Sequence, residues 1–168
     1  DGIIGKSLSY LIKRTVFWPN LSFIQLLQEF ESRGDTCHYY KKIGSEINFD
    51  YDYDAIFICS SIVCFETEIE AARQLSSKTN CPIFLCGSVS KHIQHKVPEG
   101  VNVISGNYEF FVEYLESQNK SISDPIVEKF FTVPNGSPEK LSYINWNRKD
   151  LPSNRNFILG ATKNFFPF

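Results

Sequence analysis

The sequence contains no methionine, no long apolar run and no large excess of charge of either sign. Its 168 residues carry a formal net charge of −2. This charge gives no global field to draw the chain to nucleic acid or to an anionic membrane. The longest apolar runs, such as residues 55–59, fall far short of the ~20 residues that span a bilayer. We therefore expect neither a nucleic-acid partner nor a membrane partner.

The two ends of the chain have unusual compositions. It begins with Asp1 rather than methionine and ends in an apolar cluster, residues 165–168. An apolar cluster is poorly placed on a free terminus, where chains are usually frayed and solvated. From these features we expect the chain to be a piece of a longer protein in which another segment follows.

Cysteine occurs in a pattern that fits neither disulfides nor metal clusters. There are five: Cys37, Cys59, Cys64, Cys81 and Cys86. An odd count, without a basic and apolar leader at the start, favours free thiols in a reducing compartment, which predicts a cytoplasmic protein. Four residues separate the members of each close pair, unlike the CxxC or CxxxCxxC of zinc and iron–sulfur sites. These thiols are expected to be structural, with no metal ligand among them.

Motifs for nucleotide binding and hydrolysis are also missing. No GxGxxG follows a predicted strand, there is no GxxxxGK[ST], and no nucleophile–base pair stands out. His92 and His95 are close in sequence, but Glu99 is the only carboxylate near them. This favours a solvated loop over a metal site.

What the sequence does contain is a regular alternation of helical and strand patterns. It is 42% hydrophobic and 21% charged, which is the composition of a globular domain with a core. Apolar spacing predicts helices at 21–33, 65–75 and 108–118, a weaker helical stretch at 91–96, and strands at 36–40, 55–59, 83–86 and 101–105. A further short strand is expected at 128–133, and the first strand lies at 15–18, at 3–4 or before Asp1.

Alternation in units of about twenty to thirty residues indicates βαβ crossovers. The sequence therefore predicts an α/β fold, doubly wound and flavodoxin- or Rossmann-like, whose mostly parallel sheet has helices on both faces. This domain is expected to occupy residues 1–120. Residues 121–168 contain several prolines and many turn-forming residues, so they are predicted to be an irregular extension and linker.

Ligands of open parallel sheets bind at the carboxyl ends of the strands. The residues that follow the predicted strands are therefore the candidate contacts. Many are small or hydroxylated, which would let a bulky ligand approach the backbone. The same residue types also serve ordinary βα turns, so both interpretations stay open. The candidates are Trp18, Ser60, Ser61, Gly87, Ser88, Gly106, Asn107 and Tyr108.

Five segments, in order along the chain, resemble parts of a known protein family. They are NLSFIQLLQEFESRGDTCHYYKK, DYDAIFICSSIVCFETEIEAARQLSS, FLCGSVSKHIQHKVP, VNVISGNYEFFVEYL and INWNRKDLPSNRNF. The first four are similar to successive helix, strand and turn motifs of the vitamin B12-binding-like domain that precedes the barrel of many radical S-adenosylmethionine enzymes. The fifth is similar to the linker that leads to that barrel. The resemblance covers roughly residues 17–168.

The resemblance implies a cobalamin-binding module, from an enzyme of methyltransferase type, that holds the corrin at the carboxyl ends of the strands. Ser60, Ser61, Gly87, Ser88, Gly106 and Asn107 would be contacts, with Trp18 or Tyr108 as packing walls. The radical S-adenosylmethionine barrel, in the same chain or a partner, would be the module's partner. The barrel's CxxxCxxC is absent here, so the iron–sulfur cluster and S-adenosylmethionine belong to a downstream domain and this chain supplies no catalytic residue.

This sequence departs from the family pattern where the family has a paired glycine and a Gly-Glu. It has Cys86-Gly87 and Gly106-Asn107 at these places. These departures favour an alternative function, a ligand-free domain that docks a barrel or another subunit through residues 157–168. A third hypothesis is a flavodoxin-like or glycosyltransferase-like domain that binds a nucleotide at the same edge.

Overall fold

A computed structural model describes residues 20–40, 52–60, 64–87, 92–122, 129–137, 139 and 141. In chain order the helices are α1 (Leu21–Ser32), α2 (Phe65–Ser76) and α3 (Phe111–Ser117), with 3₁₀ turns at Gln94–Lys96 and Tyr108–Phe110. The strands are β1 (Ile56–Cys59), β2 (Ile83–Cys86), β3 (Val101–Gly106) and β4 (Phe130–Val133).

The four strands form one parallel sheet in the order β1-β2-β3-β4. Ile56 pairs with Ile83, and Ile83 pairs in turn with Val101. All four residues of β2 are buried, as expected for an inner strand covered on both faces. The predicted α/β class, a flavodoxin- or Rossmann-like parallel sheet with helices, is confirmed.

Successive residues of a strand point to opposite faces of the sheet. Helices cover both of these faces. On one face, Phe84 and Ile104 join a core with Leu26 of α1 and Phe111 of α3. On the other face, the neighbouring strand residues pack against three residues of α2. The second core includes Leu85, Val103, Ile69, Ala72 and Leu75. The sheet is thus the middle of three layers.

Local sequence explains the bounds of α1. Asn20 is its N-cap, and the Asn20 Oδ1 atom accepts a hydrogen bond from the amide of Phe23 at 3.1 Å. Arg33 is the C-cap, and Gly34 follows with φ of +96°, a left-handed conformation that ends helices and suits glycine. Arg33 also bonds Glu29 of α1 and Glu116 of α3, which ties the two helices of this layer together.

The structure differs from the sequence predictions in three places. Residues 36–40 form no strand; His38 and Tyr40 instead approach the Tyr53 hydroxyl through side-chain hydrogen bonds. The predicted helix 108–118 begins with a 3₁₀ turn and becomes α-helical only at Phe111. The sheet also continues beyond residue 120, the predicted domain boundary, because Phe130–Val133 pairs with β3. Two of the three predicted positions for the first strand, 15–18 and 3–4, belong to this sequence but lie outside the described residues. Most of the predicted linker also lies outside them.

Candidate functional site

The carboxyl ends of the strands line up along one side of the sheet, which we call the carboxyl edge. It comprises the last residue of each strand and the residue that follows each of the first three: Cys59 and Ser60, Cys86 and Gly87, Gly106 and Asn107, and Val133. Asn20 and Tyr108 lie beside it, at the start of α1 and in the turn before α3. The parallel topology therefore brings together the residues that the sequence placed at separate strand ends.

Both glycines of the carboxyl edge are needed by the sheet itself. Gly87 has φ of +132° and Gly106 has φ of +82°, conformations that side chains rarely allow. A Cβ atom on Gly87 would overlap the backbone oxygen of Ser60, and one on Gly106 would overlap that of Val133. Each glycine thus lets two neighbouring strand ends approach closely. Strand packing explains why both runs end in glycine, whether or not a ligand binds there.

Asn20, Cys59 and Tyr108 form a hydrogen-bonded cluster over the end of β1. The Asn20 amide Nδ2 donates to Cys59 Sγ at 3.1 Å, and the Tyr108 hydroxyl donates to Asn20 Oδ1 at 2.8 Å. Tyr108 is only 6% exposed. The amide that caps α1 therefore also joins α1 to β1 and to the turn before α3.

The two thiols at the carboxyl edge are held in their neutral form. Burial raises the pKa of Cys59 to about 11, while hydrogen bonds from Tyr108 and Asn20 act in the opposite direction. Burial also raises the pKa of Cys86, which is fully enclosed and lies 3.5 Å from the Ile58 carbonyl oxygen through its Sγ atom. The pKa of Tyr108 is likewise raised by burial. None of the three is an activated nucleophile at neutral pH.

Ser60 is the one unsatisfied polar group that the described residues show at this edge. Its residue is 3% exposed, and its Oγ atom has no hydrogen-bond partner among the described residues. A buried hydroxyl without a partner costs about 1–3 kcal/mol. Such a group is a reason to look for a ligand at this position.

The far end of the carboxyl edge is polar and cross-linked by side chains. Ser105 Oγ donates to the Phe131 carbonyl oxygen at 3.0 Å and lies 3.1 Å from Thr132 Oγ1. Asn107 donates through Nδ2 to Asn135 Oδ1. The Asn107 carboxamide thus presents a polar surface beside β4.

The structure places five of the eight predicted site residues. Ser60, Gly87, Gly106 and Asn107 lie at the carboxyl edge, and Tyr108 lies beside it with its hydroxyl on Asn20. Trp18, Ser61 and Ser88 lie outside the described residues. Whether any of the eight touches a cofactor stays a prediction. Asn20 was not among the predicted contacts, because its sequence pattern indicates a helix cap.

Potential metal ligands and membrane-spanning helices can be assessed only within the described residues. In these ranges no three His, Cys, Asp or Glu side chains come close enough together to hold a metal ion. His92 and His95 are both exposed. No helix among them combines the length and apolar character needed to cross a bilayer.

Comparison of the chain with known protein families, with characterised proteins and with solved structures gives no match. The geometry of the carboxyl edge and the resemblance of the sequence motifs are therefore the two indications of function.

The raised pKa of the Cys59 thiol predicts that the protein loses stability in alkali. Because folding raises the pKa of Cys59 from 9.0 to about 11, the folded state binds this proton more tightly than the unfolded state. The stabilisation that this tighter proton binding gives to the folded state is complete below about pH 9 and is lost as the pH rises toward 11. Cys59 alone should lower the free energy of unfolding by about 2–3 kcal/mol over this interval. Urea unfolding under reducing conditions at several pH values measures it.

Tyrosines and lysines titrate in the same range, so the test compares variants. Cys59→Ser should flatten the decline, whereas Cys64→Ser, at an exposed thiol, should leave it as in the parent chain. Equal slopes for Cys59→Ser and the parent chain would contradict the assignment of this pH dependence to Cys59.

Proposed function

We propose that this domain is a cofactor-binding module that holds cobalamin at its carboxyl edge, as part of a radical S-adenosylmethionine enzyme of methyltransferase type. The observation that carries the proposal is the buried Ser60 hydroxyl, which has no partner among the described residues. It follows β1 directly, at the sheet edge where α/β folds bind their ligands. The motif resemblance supplies the identity of the ligand.

The residues at the edge fit such a cofactor in part. Ser60 offers a hydroxyl and Asn107 a carboxamide, groups that suit the amide- and phosphate-bearing periphery of cobalamin. Gly87 and Gly106 fit less well, because backbone oxygens of neighbouring strands fill the space beside them. The polar side chains, rather than a glycine-lined cradle, would therefore position the cofactor. When bound, cobalamin would supply the methyl-transfer chemistry, and these residues would only bind and orient it.

Hydroxocobalamin titration, followed by visible absorbance and calorimetry, tests the proposal. We expect a dissociation constant of about 1 μM or lower, near −8 kcal/mol. Ser60→Ala and Asn107→Ala should each weaken binding by about tenfold, the effect of one lost hydrogen bond of ~1.4 kcal/mol. Ser60→Ala removes an unsatisfied buried oxygen, so it should leave the free energy of unfolding unchanged or raise it. Variants of Gly87 are unsuitable because they would disturb the sheet.

Asn102→Ala is the matched control, because Asn102 lies at the opposite end of β3 and bonds the Ile83 carbonyl oxygen at 3.4 Å. It should bind hydroxocobalamin as the parent chain does. Equal loss of affinity in Asn102→Ala and Asn107→Ala would argue against a site at the carboxyl edge.

A second function, a ligand-free docking domain, is favoured by a specific observation. Asn20 and Tyr108 close the end of β1 with protein hydrogen bonds, and both glycine positions are filled by backbone. A folded chain that binds no hydroxocobalamin up to about 1 mM, near −4 kcal/mol, would support this function. The proposed partner is then the barrel itself, in the same chain or another subunit.

A further inference from the structure

Cys59 and Cys86 are direct neighbours on adjacent strands. They are register partners in the parallel β1–β2 pair, so their side chains point to the same face of the sheet. This face is the one covered by α1 and α3, because Phe57 and Phe84, two residues earlier on each strand, both belong to that core. The two thiols also act on each other electrostatically. Their adjacency comes from two rigid strands and not from a flexible loop.

The spacing of these thiols suits one class of ligand. Neighbouring strands lie about 4.8 Å apart, which is close to twice a metal–thiolate bond of about 2.3 Å. Thiols on neighbouring strands are therefore close enough for one ion between them to bind both sulfurs. Soft thiolate ligands select Cu⁺, zinc or iron–sulfur clusters. Zinc and iron–sulfur clusters need four ligands, and the described residues offer no cluster of even three, which leaves Cu⁺.

The surroundings of the pair would protect a bound ion. Cys86 is 0% exposed and packs with apolar residues of the core, which would keep water and oxidants from the ion. Cys59 is only partly buried, so it provides the route of entry.

We propose that Cys59 and Cys86 form a two-thiolate site for Cu⁺. On binding, each S–H bond loses its proton to solvent and each sulfur forms one bond to copper, so neither the metal nor the thiols change oxidation state. The site is independent of cobalamin and of the proposed function.

Anaerobic titration with Cu⁺ against a colorimetric Cu⁺ chelator tests the site, with X-ray absorption to count the sulfur neighbours of copper. We expect one Cu⁺ per chain with two sulfur neighbours. Cys59→Ser and Cys86→Ser should each lower the affinity more than about 100-fold, beyond the effect of losing an outer-shell partner. The matched controls Cys64→Ser and Cys81→Ser should retain the parent affinity.

Copper binding that is lost in Cys64→Ser or Cys81→Ser, or that survives both edge variants, would overturn the proposal. So would three or more sulfur neighbours, or no competition with the chelator at all. Circular dichroism and urea unfolding check that each variant is folded. If Cys86→Ser fails to fold, Cys59→Ser decides alone, because its side chain is only partly enclosed.

Discussion

Gly106→Ala is expected to lower the free energy of unfolding by about 2–5 kcal/mol. Alanine at φ of +82° costs about 1–2 kcal/mol, because L-residues with a Cβ disfavour the left-handed region. The new Cβ would also overlap the Val133 backbone oxygen, so β4 must shift away from β3, and such overpacking costs about 1–3 kcal/mol more. Urea unfolding of the two proteins measures the difference.

Gly100→Ala provides a closely matched control. Gly100 has φ of +80°, almost the same as Gly106, but nothing lies within 4 Å of its added Cβ. We expect it to cost only the conformational part, about 1–2 kcal/mol. If the two variants were destabilised equally, the close approach of Gly106 to β4 would not be a constraint on the fold.

Phe84→Ala is expected to be comparably destabilising, by about 3–5 kcal/mol. Phe84 is 0% exposed in the middle of β2. Its ring centroid lies 4.9 Å from that of Phe57, 5.5 Å from Phe111 and 6.4 Å from Phe131. Alanine would leave a cavity among three rings held by β1, β4 and α3, which cannot all move to fill it. The midpoint of denaturant unfolding measures the loss.

Phe130→Ala is the control for this core substitution. Phe130 is the first residue of β4 and is 40% exposed, so its truncation removes little buried surface. We expect a loss of less than about 1 kcal/mol. A cost for Phe130→Ala near that of Phe84→Ala would mean that the exposed face of β4 is covered in solution.

Much of the fold could be predicted from the sequence because its signals are local. The unbroken apolar runs that became β1 and β2, and the mostly apolar run that became β3, are typical of strands buried on both faces. The spacing of Ile69, Ala72 and Leu75 places one face of α2 on the sheet, as helical periodicity predicts. The prediction of a strand at 36–40 is wrong, because a β-rich composition does not by itself supply a neighbouring strand with which the segment can pair.

The candidate site could be predicted only in outline. Parallel strands necessarily end on the same side, so the positions of Ser60, Gly87 and Gly106 at one edge follow from the topology. The topology did not reveal why Gly87 and Gly106 must be glycines. A glycine at a strand end gives the same sequence signal whether it admits a ligand or, as the geometry requires here, the backbone of the next strand.

The sequence by itself determined the α/β class, the order of the main elements and the edge at which the candidate residues would lie. Periodicity within ten or so residues carries that information. Only the tertiary structure decided that Cys59 lies beside Cys86, that the helix cap Asn20 bonds Cys59 and Tyr108, and that the Ser60 hydroxyl is left unsatisfied among the described residues. Asn20 is 39 residues from Cys59 and 88 from Tyr108, and contacts over such separations leave no periodic trace in the chain.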